Sequence, residues 1–145
     1  MRWLMLVSVL LLAGLLSAGE PDKAAKEELK KLEGTWSLVA AELGGKKSPD
    51  DLVIGGTLTI KGNTYTVRFF KQVTDEGTIK IDPTKKPKTW DKVSTKLKDV
   101  KIAGVYELDG DKLRYCESPA GGERPKEITS KAGTLESAST LKRKK

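Results

Sequence analysis

The sequence predicts an all-β fold, a small antiparallel β-barrel of about eight strands with a short N-terminal helix. Three observations carry this. Gly104 to Cys116 reads as two short strands around an Asp109-Gly110-Asp111 turn, where Gly and Asp supply the positive φ of a tight hairpin. From Gly34 onward, apolar residues alternate with polar ones between frequent turn signals. Ahead of them, Pro21 to Glu33 carries the helical period instead.

That first segment is rich in Ala, Lys, Glu and Leu, all good helix formers. Ala25, Leu29 and Leu32 fall on one face, Pro21 suits the first turn, and Gly34 ends the helix. So short a helix is marginal alone, so its stripe is expected to dock on the rest of the domain. Trp36, Leu38 and Ala40 then alternate with Ser37, Val39 and Ala41, and Lys46 to Leu52 reads as a loop. Thr57 to Lys61 and Thr64 to Phe70 form a pair around Gly62-Asn63, with Tyr65, Val67 and Phe69 on one face. Asp75-Glu76-Gly77 reads as a turn before Ile79 and Ile81. Thr89 to Thr95 is a weaker strand. Lys126 to Thr129 is a short one, and Ser139 to Arg143 closes the sheet.

Residues 1–19 read as a signal peptide. Arg2 precedes an apolar run from Leu4 to Leu16, and Ser17 and Gly19 suit a signal-peptidase site. The run is shorter than the roughly 20 apolar residues that span a bilayer. The expected mature chain, residues 20–145, is a single domain, secreted or periplasmic, with no membrane span. It carries 26 basic and 20 acidic residues, a net charge of +6. The chain has no histidine, which excludes Ser-His-Asp and Cys-His catalysis and every imidazole zinc site. Its one cysteine, Cys116, cannot form an internal disulfide, so stability rests on the core.

Gly34-Thr35-Trp36 after a short helix resembles the first strand of the lipocalin and calycin superfamily. The resemblance implies a late basic residue packed over Trp36, with Lys142 and Arg143 as candidates. The chain is also similar to an uncharacterised family of exported lipocalin-like domains expanded in planctomycete bacteria. The matching segments, in order, are Leu32 to Trp36, Leu58 to Tyr65, Gly77 to Lys88, Gly104 to Leu113, Glu123 to Pro125 and Leu141 to Arg143. The chain departs from the family at Val53 to Gly56 and at Ser130 to Ser137. The resemblance implies fold and export and assigns no catalytic residue.

Tyr65, Phe69, Tyr106 and Tyr115 are either an aromatic lining for an apolar ligand or the filling of a small barrel. If a ligand site exists, Tyr65, Phe69 and Tyr106 line it, with Arg114 as an anion anchor at the mouth. Gly34, Trp36 and Gly110 are structural, as helix cap, barrel plug and hairpin turn. Cys116 shares a face with Arg114, which would favour a thiolate, but it reads first as a small buried hydrophobe. Glu107, Asp109 and Asp111 belong to a turn and make no glycosidase pair. The expected function is therefore that of an exported, monomeric, non-enzymatic binding module. Its ligand would be a small apolar or amphipathic molecule in the barrel, and it would need no cofactor, metal or nucleic acid. The alternative is an envelope-interaction or inhibitor protein with a filled core. It would act through Lys85, Lys86, Lys88 and the basic tail, or through the loop Pro119 to Pro125.

Overall fold

The computed structural model describes residues 20–145, so the expected signal peptide lies outside the described residues. One helix, α1 (Glu20–Leu32), precedes nine strands. These are β1 (Gly34–Leu43), β2 (Lys46–Lys47), β3 (Gly56–Lys61), β4 (Thr64–Phe69), β5 (Gln72–Asp82), β6 (Lys88–Ser94), β7 (Val100–Asp109), β8 (Lys112–Glu117) and β9 (Ser137–Arg143). Each of β3 to β9 pairs antiparallel with its neighbour in sequence, β1 pairs with β3, and β9 returns to pair with β1. Eight strands thus close into a barrel, and β2 is a two-residue flap on the far end of β1. Closure leaves no free edge among the eight, so the backbone groups of each find partners on both sides.

The helix plugs one end. Ala25, Leu29 and Leu32, the predicted stripe, pack on the barrel core together with Trp36. Trp36 is fully buried, and its indole N–H donates to the Leu32 carbonyl at 2.9 Å, an acceptor freed by the end of the helix. The sequence leaves open which basic residue covers the indole, and strand register decides it. Trp36 lies opposite Arg143, whose guanidinium sits 4.2 Å from the ring centroid. The same guanidinium donates to the Glu33 carbonyl at 2.6 Å, the Lys31 carbonyl at 2.7 Å and Asp111 Oδ1 at 3.1 Å. Gly34 makes room for it. Its φ is +125°, and a Cβ there would stand 3.0 Å from Arg143 Nη1.

Four local expectations need correction. Lys46 to Leu52 is not all loop, since Lys46–Lys47 form β2 and Asp50–Leu52 a single 3₁₀ turn. Asp75-Glu76-Gly77 is not a turn but the middle of β5, and the chain reverses earlier, at Phe70-Lys71. Gly77 serves close approach rather than reversal, because a Cβ there would fall 1.9 Å from the Val93 carbonyl oxygen. Residues 126–129 form no strand but belong to the long irregular connection from β8 to β9. A bulge between Leu38 and Ala40 changes the face presented by β1, so Ala41 rather than Ala40 is in register with Ser139 and Tyr115.

Trp36→Ala is expected to destabilise the domain by about 3–5 kcal/mol, because it empties a fully buried site. That is a large part of the roughly 5–15 kcal/mol that holds a domain of this kind together. Thermal or denaturant unfolding beside the wild type measures it, and an unchanged midpoint would contradict the plug.

Candidate functional site

Inward positions follow the strand period. From β6 the barrel receives Trp90, Lys92 and Ser94, from β8 Leu113, Tyr115 and Glu117, and from β4 Tyr65. Tyr65, Trp90 and Tyr106 are at most 1% exposed. The Trp90 ring stacks on Tyr106 with centroids 5.3 Å apart and leans on Tyr115 at 4.8 Å. The four main concavities among the described residues flank the barrel, and none of these four is lined by Tyr65, Phe69 or Tyr106.

A buried ion pair sits among these rings. Lys92 Nζ lies 2.8 Å from Glu117 Oε2 and 3.1 Å from Oε1, and Trp90 Nε1 donates to Oε2 at 3.0 Å. The ammonium also stands 4.7 Å from the Tyr65 centroid. Burial, the largest single influence, would pull the Lys92 pKa down, but the Glu117 carboxylate together with Tyr115 and Tyr65 holds the ammonium above the usual lysine range. A second polar knot adjoins it. Tyr65 Oη donates to Asp75 Oδ2 at 2.9 Å, and Ser94 Oγ to Asp75 Oδ1 at 2.5 Å. Near α1, Glu28 receives Tyr106 Oη at 3.3 Å and Lys88 Nζ at 2.7 Å. Among the described residues no buried side-chain donor or acceptor is left unpaired. The charged groups described inside the barrel are therefore each hydrogen-bonded to a neighbour within it.

The predicted ligand residues do not form one site. Tyr65 and Tyr106 are packed in the interior and tied to Asp75 and Glu28. Phe69 is half-buried toward the opposite end, where a Cβ on Gly56 would meet it at 3.2 Å. Arg114 does not reach the mouth. It is one residue out of phase with Leu113 and Tyr115, so it stands on the outer wall, donating to the Ile128 carbonyl at 3.4 Å. Cys116 shares that outer face but is covered with Val105, Ala138 and Ile128. Burial, with Glu136, Glu117 and Glu42 nearby, pushes its thiol up to about 12, the reverse of thiolate activation.

Sequence reasoning missed Lys92, Glu117 and Asp75. The signal was present, since Lys92 is in phase with Trp90, Glu117 with Tyr115, and Asp75 with Ile79 and Ile81.

The outer wall carries the more open geometry. A groove of about 670 Å³ runs between the Lys85-Lys86-Pro87 turn and Arg124-Pro125-Lys126, over Lys80 and Asp91. Arg124 pins the long loop to the wall, donating to the Trp90 carbonyl at 3.0 Å, the Gly104 carbonyl at 2.8 Å and Asp91 Oδ1 at 2.6 Å. Gly104 is needed for the inward face of the same strand, because a Cβ would fall 2.6 Å from Trp90 Nε1. Asp82 is engaged by the Thr84 backbone N–H at 3.0 Å and hydroxyl at 2.5 Å, which hold its carboxyl below the usual range. Both aspartates of the groove thus have partners, whereas Lys80, Lys85, Lys86 and Lys126 are exposed and enter no ion pair among the described residues.

No family model, curated protein or solved structure matches this chain.

Two measurements test the interior. Lys92→Met leaves a carboxylate buried without its cation and is expected to cost about 3–5 kcal/mol, whereas adding Glu117→Gln should restore most of it. Equal loss in the single and double variants would contradict the pairing. The second is an alkaline titration. Burial first, and then neighbouring carboxylates, raise all three tyrosines, Tyr65, Tyr106 and Tyr115. Lys92 and Cys116 shift upward too. In each case the folded state holds a proton that the unfolded state loses first. Stability should therefore be intact below pH about 8.5 and fall steadily above pH about 10. Absorbance near 295 nm should show no tyrosinate until the fold is lost. A gradual rise centred on pH about 10 would mean the rings are solvated.

Proposed function

We propose that this chain is an exported, non-enzymatic binding module with a lipocalin-like barrel that works through its outer surface. Its partner is an anionic polymer or an acidic segment of another exported protein. The observation that carries this reading is the groove between the Lys85-Lys86 turn and the Arg124–Lys126 loop. It places four unpaired lysines around a concavity whose aspartates are already engaged. The two candidate loops lie far apart in sequence yet line one groove, and this supports treating them as a single surface. Ammonium groups on flexible stems suit a succession of phosphate, sulfate or carboxylate groups rather than one planar ligand. The packing of Tyr65 and Tyr106 weighs against a ligand enclosed in the barrel, because an occupant would have to displace paired, fully buried rings. The pinning of Arg124 and the burial of Pro125 likewise weigh against an extended inhibitor loop.

Binding to dextran sulfate or polyglutamate at graded salt tests this. The affinity should fall steeply between about 50 and 200 mM salt, as exposed charges become screened within about 8–10 Å. Lys85→Glu with Lys86→Glu should weaken binding at least tenfold without changing the unfolding midpoint. Salt-insensitive binding, or equal affinity in the double variant, would overturn the reading. Saturable uptake of an apolar fluorescent probe would restore the barrel interior as the site.

A further inference from the structure

The barrel end opposite α1 is unlike the rest of the surface. Six of the seven exposed large hydrophobic side chains, Leu43, Leu52, Ile54, Phe70, Leu97 and Leu135, lie in its turns or at its strand ends. The outer wall is polar by contrast, as in β5, where Thr74, Glu76, Thr78 and Lys80 face solvent. An apolar set gathered at one end of a molecule with a polar wall marks an interaction site rather than scattered exposure.

The backbone supplies a second, independent observation. Among the described residues, three other than glycine have positive φ, namely Phe70 (55°), Lys98 (53°) and Asp99 (62°), and all three lie in turns at this end. For a bulky side chain that region is strained, and Asn or Gly would occupy it at lower cost. Phe70 is nevertheless 73% exposed, so burial in the core does not account for its presence. Its ring rests against Gly55, where a Cβ would fall 2.8 Å from it, and this sets Phe70 beside Ile54. Strain retained for an exposed aromatic points to a role outside the fold.

Charge selects the occupant. Lys71 follows Phe70, and Lys96 and Lys98 flank Leu97. With Lys46, Lys47, Lys101 and Lys131, the segments that carry these tips hold seven lysines against five carboxylates, Glu42, Asp50, Asp51, Asp99 and Glu136, of which Glu42 and Glu136 accept from the backbone N–H groups of Ser130 and Lys131. Lysine is depleted from the buried centre of a protein–protein contact. Phe70 and Leu97, each set directly beside lysine, instead match a bilayer interface, where apolar tips enter the acyl boundary and the ammonium groups stay at anionic headgroups. We infer that this rim docks the protein, reversibly, on an anionic lipid surface. The inference does not rest on the lysine groove, which lies on the outer wall.

The test is co-sedimentation of the protein, as secreted by a bacterial host, with vesicles of phosphatidylglycerol and phosphatidylcholine or of phosphatidylcholine alone. Wild type should bind the anionic vesicles at least tenfold more tightly. Phe70→Asn with Leu97→Ser should lose at least tenfold, and its unfolding midpoint should not fall, since Asn suits the φ that Phe70 holds. Lys71→Gln with Lys98→Asn should remove the preference for anionic lipid. Lys85→Glu with Lys86→Glu, which disables the groove, should leave vesicle binding unchanged. Absence of wild-type binding would overturn the inference, as would undiminished binding of the Phe70-Leu97 variant. So would a concentration-dependent dimer that this variant disperses, because the rim would then be covered by a second copy.

Discussion

The contact between Trp36 and Arg143 is the constraint on which the rest of this molecule depends. The indole closes one end of the barrel from inside, and the guanidinium lies over it while binding two carbonyls at the end of α1. The first strand, the last strand and the helix are thereby fixed at one point. Asp111 of the β7–β8 turn accepts from the same guanidinium, so the hairpin turn is held there as well. A closed sheet must bring its ends together against chain entropy, and a buried, multiply bonded junction is an economical place to do so.

With that end sealed, the interior is determined by volume. An eight-stranded barrel is only wide enough to be filled by side chains or to hold one small ligand. Here Trp36, Trp90, Tyr65 and Tyr106 fill it, with Tyr115 partly buried against them. Buried polar ends then need partners, and Asp75, Glu28, Ser94 and the Lys92–Glu117 pair supply them. Breaking one such partnership leaves a desolvated group behind, which makes the set mutually dependent. The surfaces that packing has not consumed are the lysine groove on the wall and the apolar rim at the far end, and these are the two to which we propose binding roles.

Much of this was legible in the sequence because it is local. The helix stripe of Ala25, Leu29 and Leu32, the Asp109–Asp111 hairpin and the alternation along β3, β4, β7 and β8 need only neighbouring residues to be read. The errors arose where a residue's role is set across the sheet. Gly77 looks like a turn glycine until Val93 is known to press against it. Asp75 looks like a turn former until Tyr65 and Ser94 are seen to bond it. Arg114 looks available for a ligand because β8 carries apolar residues on both faces, Leu113 and Tyr115 on one and Cys116 on the other, which blurs which face turns outward.

By itself, the sequence determined the class of fold, the place of the helix, the single unpaired cysteine and the absence of imidazole chemistry, since these follow from composition and short-range period. Only the tertiary structure decided that Arg143 rather than Lys142 covers Trp36, that Lys92 and Glu117 meet inside, and that Lys85 and Lys126 line one groove. Those facts depend on register and closure, and register brings together residues that no local pattern relates. Strand register β1–β9 sets Trp36 opposite Arg143 across more than a hundred residues of chain, and the site of every buried charge follows from the same closure.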